Sequence, residues 1–279
     1  MHTINGRKIA KTIQKRTAEK VAELKERGIT PKLAVILVGD DEASALYVKK
    51  KGQAAKKVGM DFELHHFPAS ISKPELEDNI RDIQKDKDLS GLIVQLPVPE
   101  DFYPSVLDIV DPRVDVDCLT HDNLGKLVMK TNDIIPPTPG AVMSILDDLE
   151  VDLKGKHVVI VGAGVLVGKP LSIIMMNQEA TVVTCNVHTK NLREETKKAD
   201  IIISGVGKKH IITEDMVKYG AIVIDAGVDF ENNQMFGDVD FENVGKIASY
   251  ITPTPGGVGP LTVANLLWNT AVLAEKYSV

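Results

Sequence analysis

Short runs that are apolar throughout alternate along this chain with longer stretches in which apolar residues recur every three or four positions. The first kind reads as strands covered on both faces and the second as helices with one buried stripe. Their alternation marks a parallel-sheet α/β protein. Ile9, Ile13, Val21 and Leu24 keep a helical period that stops near Gly28, with Pro31 beyond. LAVILVG (33–39) is continuously apolar and predicts a strand buried on both sides, and a helix is expected over about 43–58. FELHHF (62–67) alternates and reads as a second strand. Ser72-Lys73-Pro74-Glu75 is a capping box that opens a helix to about Lys87, and GLIVQLP (91–97) is the third strand.

Residues 100–138 change character. Pro104, Pro112, Pro136 and Pro137, just after Pro99, crowd this region, which reads as a loop-rich connector with a short helix. A helix from about Gly140 to Glu150 leads into a second series: KHVVIVGAG (156–164), a helix, TVVTC (181–185), a helix, ADIIISGVG (199–207), a short helix and AIVIDAG (221–227). Such a run of βα units reads as a nucleotide-binding half. The tail, 260–277, is a helix with Leu266, Leu267, Ala271 and Ala274 on one side.

Composition narrows the class. Hydrophobic residues make up 43% and charged residues 26%, which excludes bulk disorder, and 279 residues suffice for two domains with real cores. A net charge of −6 without a dominant basic block argues against nucleic acid as a partner. Cys118 and Cys185 form no CxxC pair, so neither a disulfide framework nor a structural zinc site is indicated, and no metal is expected. The N-terminus lacks an apolar signal region, and the longest apolar run, Val158–Gly168, is well short of the ~20 residues a bilayer needs. A reduced, cytoplasmic protein without membrane attachment is expected.

Five segments carry candidate chemistry. In VIVGAGVLVGKP (159–170), Gly162, Gly164 and Gly168 follow a strand and open a helix. Glycines there permit a tight turn and close backbone approach, and a helix N-terminus offers amide hydrogens to a pyrophosphate; the plainer alternative is a tight turn without a ligand. At the end of the next strand, Cys185-Asn186-Val187-His188 holds neither the acid that favours NAD nor a base fixed for a 2′-phosphate. Tyr47 and Lys51 stand at i and i+4 on one helix face, and Lys51 borders the apolar stripe of Val48, Ala55 and Val58. Lys51 is either a snorkelling lysine beside the core or a partly desolvated base with a lowered pKa. Gln95 ends an apolar strand, where an amide is either an ordinary strand-end group or faces the ligand crevice. Asp115 and Asp117 pair two acids with no third metal ligand nearby, which suggests a solvated turn, and ITPTPGGVGPLT (251–262) is a rigid, shaped loop.

Together these segments resemble one family: the bifunctional methylenetetrahydrofolate dehydrogenase/methenyltetrahydrofolate cyclohydrolases. The resemblance rests on VGDDEASALYVKKK (38–51), GLIVQLPVP (91–99), DVD (115–117), VGKP (167–170), GDVDF (237–241) and TPTPGGVGPLT (252–262), in the family's order across nearly the whole chain. It implies that Lys51 is the key cyclohydrolase residue, that Tyr47 stacks on the folate, that Gln95 positions the lysine and that Asp117 grips the pteridine. It also implies that the loop with Pro255, Gly256 and Gly257 shapes the substrate pocket, and that Gly162, Ala163, Gly164, Val187 and Val228 contact NADP or NAD. The fold so implied is α/β, with two domains around a cleft. Residues 1–138, with the C-terminal helix 261–279 packing back, form the folate-side domain, and 139–260 form a Rossmann-like domain with a parallel sheet. A homodimer in one-carbon metabolism is implied as well.

The departures from the family pattern bear on cofactor choice. Gly162-Ala163-Gly164 stands where the family reads GRS, Cys185-Asn186-Val187 where it reads CHS, and Cys118 where KDVDG ends in glycine. The missing arginine and serines are groups that hold a 2′-phosphate, so weak discrimination between NADP and NAD is expected. A non-catalytic dinucleotide-binding regulator would leave Tyr47, Lys51, Gln95 and Asp117 unexplained together. A different Rossmann enzyme, of the amino-acid or shikimate dehydrogenase type, would leave the PGGVGP loop unexplained. A single-activity member of the family is the remaining alternative.

Overall fold

The computed structural model describes residues 2–231 and 234–277. In chain order its elements begin with β1 (His2–Thr3), α1 (Gly6–Glu26), β2 (Lys32–Val38), α2 (Glu42–Lys57), β3 (Asp61–Phe67), α3 (Lys73–Ile83) and β4 (Leu89–Val94). Three helices follow, α4 (Ser105–Asp108), α5 (His121–Val128) and α6 (Pro137–Asp148). Then come β5 (His157–Val161), α7 (Gly168–Asn177), β6 (Thr181–Cys185), α8 (Leu192–Thr196), β7 (Ile201–Ser204) and β8 (Ile222–Asp225). The chain ends with β9 (Asp229–Glu231), β10 (Gln234–Phe236), α9 (Phe241–Val244), β11 (Tyr250–Ile251) and α10 (Val258–Tyr277). Among the described residues no helix is long and apolar enough to cross a membrane.

One compact unit comprises Thr12–Pro137 and the described residues from Val263 onward. Its sheet is parallel, in the order β3-β2-β4. The continuous apolar run of β2 has a simple cause: Leu33, Val35 and Leu37 pack with Val48 and Ala55 of α2 and with Leu266 and Leu267 of α10. Ala34, Ile36 and Val38 point the other way, onto Leu76 and Ile80 of α3 and Val106 and Leu107 of α4. Fully burying each large side chain contributes about 1.5–3 kcal/mol. β3 is the edge strand, and its alternation of half-buried and exposed residues follows from having one covered face. The Ser72 hydroxyl accepts from the Glu75 N–H at 3.4 Å, as the capping box predicts. α3 ends at Ile83, earlier than its pattern suggests, and the Gln84 amide turns to the backbone of Ile109 and Asp111.

The second unit comprises the described residues up to Lys11 and Thr138–Thr262. It holds a six-stranded parallel sheet ordered β1-β11-β8-β7-β5-β6, with a separate β9–β10 hairpin. β6 lies on one side of β5 and β7 on the other, so the strand order reverses at β5, as in doubly wound Rossmann-like folds. β1 pairs with β11, which is why the first residues group with this unit and not with the one that follows them in sequence. Val159, Ile202 and Val223 of the central strands share a core with Ile212, Val217 and Val244. The connector holds two short α-helices, α4 and α5, and a 3-10 turn at Glu100–Phe102 where one short helix was expected. Between β7 and β8 the expected helix is a single 3-10 turn at Glu214–Met216.

Candidate active site

Within the first unit, helix α2 and the end of β4 bring two candidate side chains, Lys51 and Gln95, together. α2 starts at a capped Asp41, whose carboxylate accepts from the Ser44 N–H at 2.7 Å, and its buried stripe of Val48 and Ala55 lies on the sheet. This sets Lys51 at the border between the core and the polar face, one turn after Tyr47. The strand proper ends at Val94, and Gln95 continues it by donating its backbone N–H to the Ile36 carbonyl at 2.9 Å. The Lys51 ammonium donates to Gln95 Oε1 at 2.9 Å, and Gln95 Nε2 donates to the Leu96 carbonyl at 2.7 Å. The second bond orients the amide, so that its oxygen and not its NH₂ meets the lysine.

Asp117 reaches the same neighbourhood by a different route. Leu92 of β4 donates to the Val114 carbonyl at 2.7 Å and forms an isolated parallel bridge with Asp115, so the DVD segment extends the sheet. A side chain at Gly91 would strike Val116, which makes the close approach of the two segments dependent on that glycine. Asn269 of α10 donates from one amide nitrogen to the carbonyls of Val116, at 2.9 Å, and Ile135, at 2.8 Å. In sequence Asn269 is one polar residue beside the stripe of Leu266, Leu267, Ala271 and Ala274, and nothing in its own segment marks the distant carbonyls it meets.

The two acids of the DVD segment do different work. The solvated turn expected at this pair is a buried one: Asp115 is 3% exposed and accepts from the backbone N–H groups of Leu119 and Thr120 and from the Asn123 amide. Its carboxylate replaces water with protein donors, which is what a buried acid requires. Asp117 keeps part of its surface accessible, and among the described residues no donor reaches its carboxylate. Cys118 follows with φ 56°, in the left-handed region where the family pattern has glycine.

Electrostatics couple Lys51 and Asp117. Burial pushes the Lys51 amine below the ordinary lysine range, and the Asp117 charge opposes that shift. Burial pushes the Asp117 carboxyl up to about 6, opposed by Lys51 and reinforced by Asp115. Tyr47 is half-buried, and burial raises its phenol. This arrangement combines a desolvated amine able to move protons, an amide fixing its direction and an open carboxylate able to accept hydrogen bonds.

The other sequence-selected residues lie in the second unit. Gly162, Ala163 and Gly164 follow β5, Val187 follows β6, Val228 follows β8, and Pro255, Gly256 and Gly257 follow β11. All stand beyond the carboxyl ends of parallel strands, the edge where doubly wound sheets bind ligands. Gly162 has φ 108°, and a Cβ there would sit 2.7 Å from the Gly205 carbonyl oxygen, so the turn requires glycine. No side chain caps the start of α7, which leaves its N-terminus available to a phosphate. These features fit a dinucleotide. Val187 is 88% exposed, and Asn186 Oδ1 accepts from the His188 N–H within a turn.

Comparison with known proteins matches both units. The model described as tetrahydrofolate dehydrogenase/cyclohydrolase, catalytic domain, covers residues 4–117, and the NAD(P)-binding domain model covers residues 136–278. A relative named bifunctional protein FolD, from Nautilia profundicola, is 49% identical over 100% of this chain and 99% of its own. The crystal structure of the bifunctional FolD dehydrogenase/cyclohydrolase of Campylobacter jejuni is 40% identical, with a TM-score of 0.94 and 98% of each chain covered. The Trypanosoma brucei FolD structure, complexed with NADP cofactor and inhibitor, is 34% identical with a TM-score of 0.94, over 98% of this chain and 97% of that one.

Proposed function

This chain belongs to the tetrahydrofolate dehydrogenase/cyclohydrolase family, and from that premise we propose how its residues divide two consecutive reactions. It oxidises 5,10-methylenetetrahydrofolate with NAD or NADP to the methenyl cation and hydrolyses that cation to 10-formyltetrahydrofolate. The observation that carries the assignment of residues is the desolvated Lys51 amine, bonded to the oriented Gln95 amide and facing an open Asp117 carboxylate.

The bound dinucleotide supplies the acceptor for the hydride of the methylene carbon. The residues that would hold it are Gly162, Ala163, Gly164, Val187 and Val228. Hydrolysis is the step that needs protons moved. Water adds to the methenyl carbon, the Lys51 amine takes a proton from it, and the neutral adduct forms. The adduct hydroxyl then loses its proton to solvent as the bond from carbon to the ring nitrogen breaks, and the Lys51 ammonium returns a proton to that nitrogen. An ordinary lysine, with a pKa of about 10.4, is almost wholly protonated at neutral pH and accepts no proton. Burial moves Lys51 in the direction this step needs. Gln95 keeps the amine aimed, Tyr47 stacks on the substrate ring, and Asp117 accepts from the pteridine amino group and ring N–H.

Because the Asp117 carboxyl lies near 6, protonation removes its acceptor charge within an accessible pH range. The KM for the folate rises as pH falls from about 7 to 5, and Asp117→Asn flattens that rise. A wild-type KM that is constant across this range would contradict the assignment.

Ala163, Gly164 and Val187 stand where arginine and serines would hold a 2′-phosphate, and His188 is exposed. No acid there repels a phosphate either. NAD is therefore used at an efficiency comparable to or better than that of NADP. A side chain at Gly164 meets open space, so the double change Ala163→Arg with Gly164→Ser fits the turn and shifts preference toward NADP. Methylenetetrahydrofolate oxidation measured with both cofactors side by side tests this, and a hundredfold wild-type preference for NADP overturns it. The same assay followed through to 10-formyltetrahydrofolate separates a bifunctional enzyme from a single-activity one. The reading also includes a homodimer, tested by sedimentation, and a cytoplasmic location, which the two free, buried cysteines suit.

A further inference from the structure

Asp225 and Asp238 are buried acids in the second unit, 3% and 0% exposed, that the hydride and hydrolysis steps leave unused. Asp238 Oδ2 accepts from the Ser204 hydroxyl at 2.6 Å and from the Val206 N–H at 2.7 Å, and Oδ1 accepts from the Lys208 N–H at 2.8 Å. One carboxylate thus holds the whole segment that leaves β7. Asp225 secures Asp238 in turn. Its oxygens accept from the N–H groups of Asp238 at 3.1 Å, Val239 at 2.9 Å and Gly227 at 3.0 Å.

The segment so held lies beside the strand-order reversal at β5. Gly205 donates to the Val161 carbonyl at 2.9 Å, and its own carbonyl fills the space where a Gly162 Cβ would stand. At its far end, a Cβ on Gly207 would come within 3.3 Å of the Val228 carbonyl. Residues 204–208 are therefore the layer on which both the glycine turn and Val228 rest, at the switch point where doubly wound sheets bind dinucleotides. We propose that Asp238 is a positioning residue for dinucleotide binding, acting through the 204–208 segment and never touching the cofactor itself. This rests on the reading of the second unit as the dinucleotide site.

The acceptor-only pattern makes the carboxylate specific. In Asp238→Asn one oxygen becomes an NH₂, which faces a backbone N–H and leaves it unpaired in the interior. NAD and NADP binding, measured by titration of the full chain, weakens roughly tenfold or more in Asp238→Asn. In turnover the dinucleotide KM rises while kcat at saturating dinucleotide is kept. Hydrolysis of added methenyltetrahydrofolate without dinucleotide is also kept, a split that a general loss of structure does not produce. Ser204→Ala removes only one of the three donors and weakens dinucleotide binding by a smaller factor, so it decides the matter if Asp238→Asn does not fold. Unchanged dinucleotide affinity in a folded variant overturns the inference alone, as does an equal loss of both activities. Failure of the wild type to bind either dinucleotide overturns the underlying reading, and the inference with it.

Discussion

Lys51→Met abolishes the conversion of 5,10-methenyltetrahydrofolate to 10-formyltetrahydrofolate, with an expected loss of roughly 10²–10⁴-fold, the range that a positioned acid–base group contributes. Methionine keeps the unbranched stem that runs along the apolar stripe of α2 and removes only the amine, so the helix packing survives. Removing a desolvated ammonium also removes the cost of burying it, and the variant is expected to unfold at a temperature close to that of the wild type. Two local consequences follow. Gln95 Oε1 loses its donor, and Asp117 loses the charge that holds its carboxyl down, so that carboxyl moves above its present value of about 6. Folate binding in the variant therefore weakens already between pH 6 and 7, where the wild type still binds. Decay of the methenyl absorbance reports the first effect and the pH dependence of KM the second. Near-normal hydrolysis in Lys51→Met would sink the assignment.

The legibility of this chain tracks how far each residue's role is local. β2 announces itself because both faces are buried, and the cap of α3 because Ser72 and Glu75 are three residues apart. The helix stripe that Lys51 borders is legible, and that stripe settles on the sheet. The stripe alone leaves Lys51 between a snorkelling lysine and a base, and only the family resemblance implies the latter. The β9–β10 hairpin and the two-residue strands β1 and β11 left no trace, since three residues cannot display a period and their pairing is long-range. Asp115 misled for a related reason. An acid in a Pro-flanked turn looks solvated until the donors of Leu119, Thr120 and Asn123 are folded around it. Asp238 and Asn269 act through backbone groups of distant segments, which no spacing within their own segments encodes. Cys118 shows the converse: the departure from the family's glycine was visible in sequence, but its left-handed φ was not.

Asp117→Ala weakens folate binding by about two to four orders of magnitude and leaves dinucleotide binding intact. The carboxylate is held in place by its neighbours and not by its own contacts. Asn269 fixes the Val116 carbonyl, Asp115 fixes the turn that follows, and no described residue donates to Asp117 itself. Its oxygens are thus free for a ligand while its backbone is already ordered, so little conformational entropy is lost on binding. Two hydrogen bonds to an ionised carboxylate contribute roughly 1.5–3 kcal/mol each, and their joint loss sets the expected range. Truncation to alanine also removes the charge that opposes the lowering of Lys51, so the amine falls further below the ordinary lysine range. At saturating folate, residual hydrolysis then runs at lower pH than in the wild type, a change that a purely structural role would not produce. Asp117→Asn keeps the shape and one acceptor, and it recovers part of the affinity without the pH response. Titrating both ligands against Asp117→Ala decides the matter. An equal weakening for folate and dinucleotide would make Asp117 a structural residue, whereas a folate-specific loss ties the open carboxylate to the pteridine.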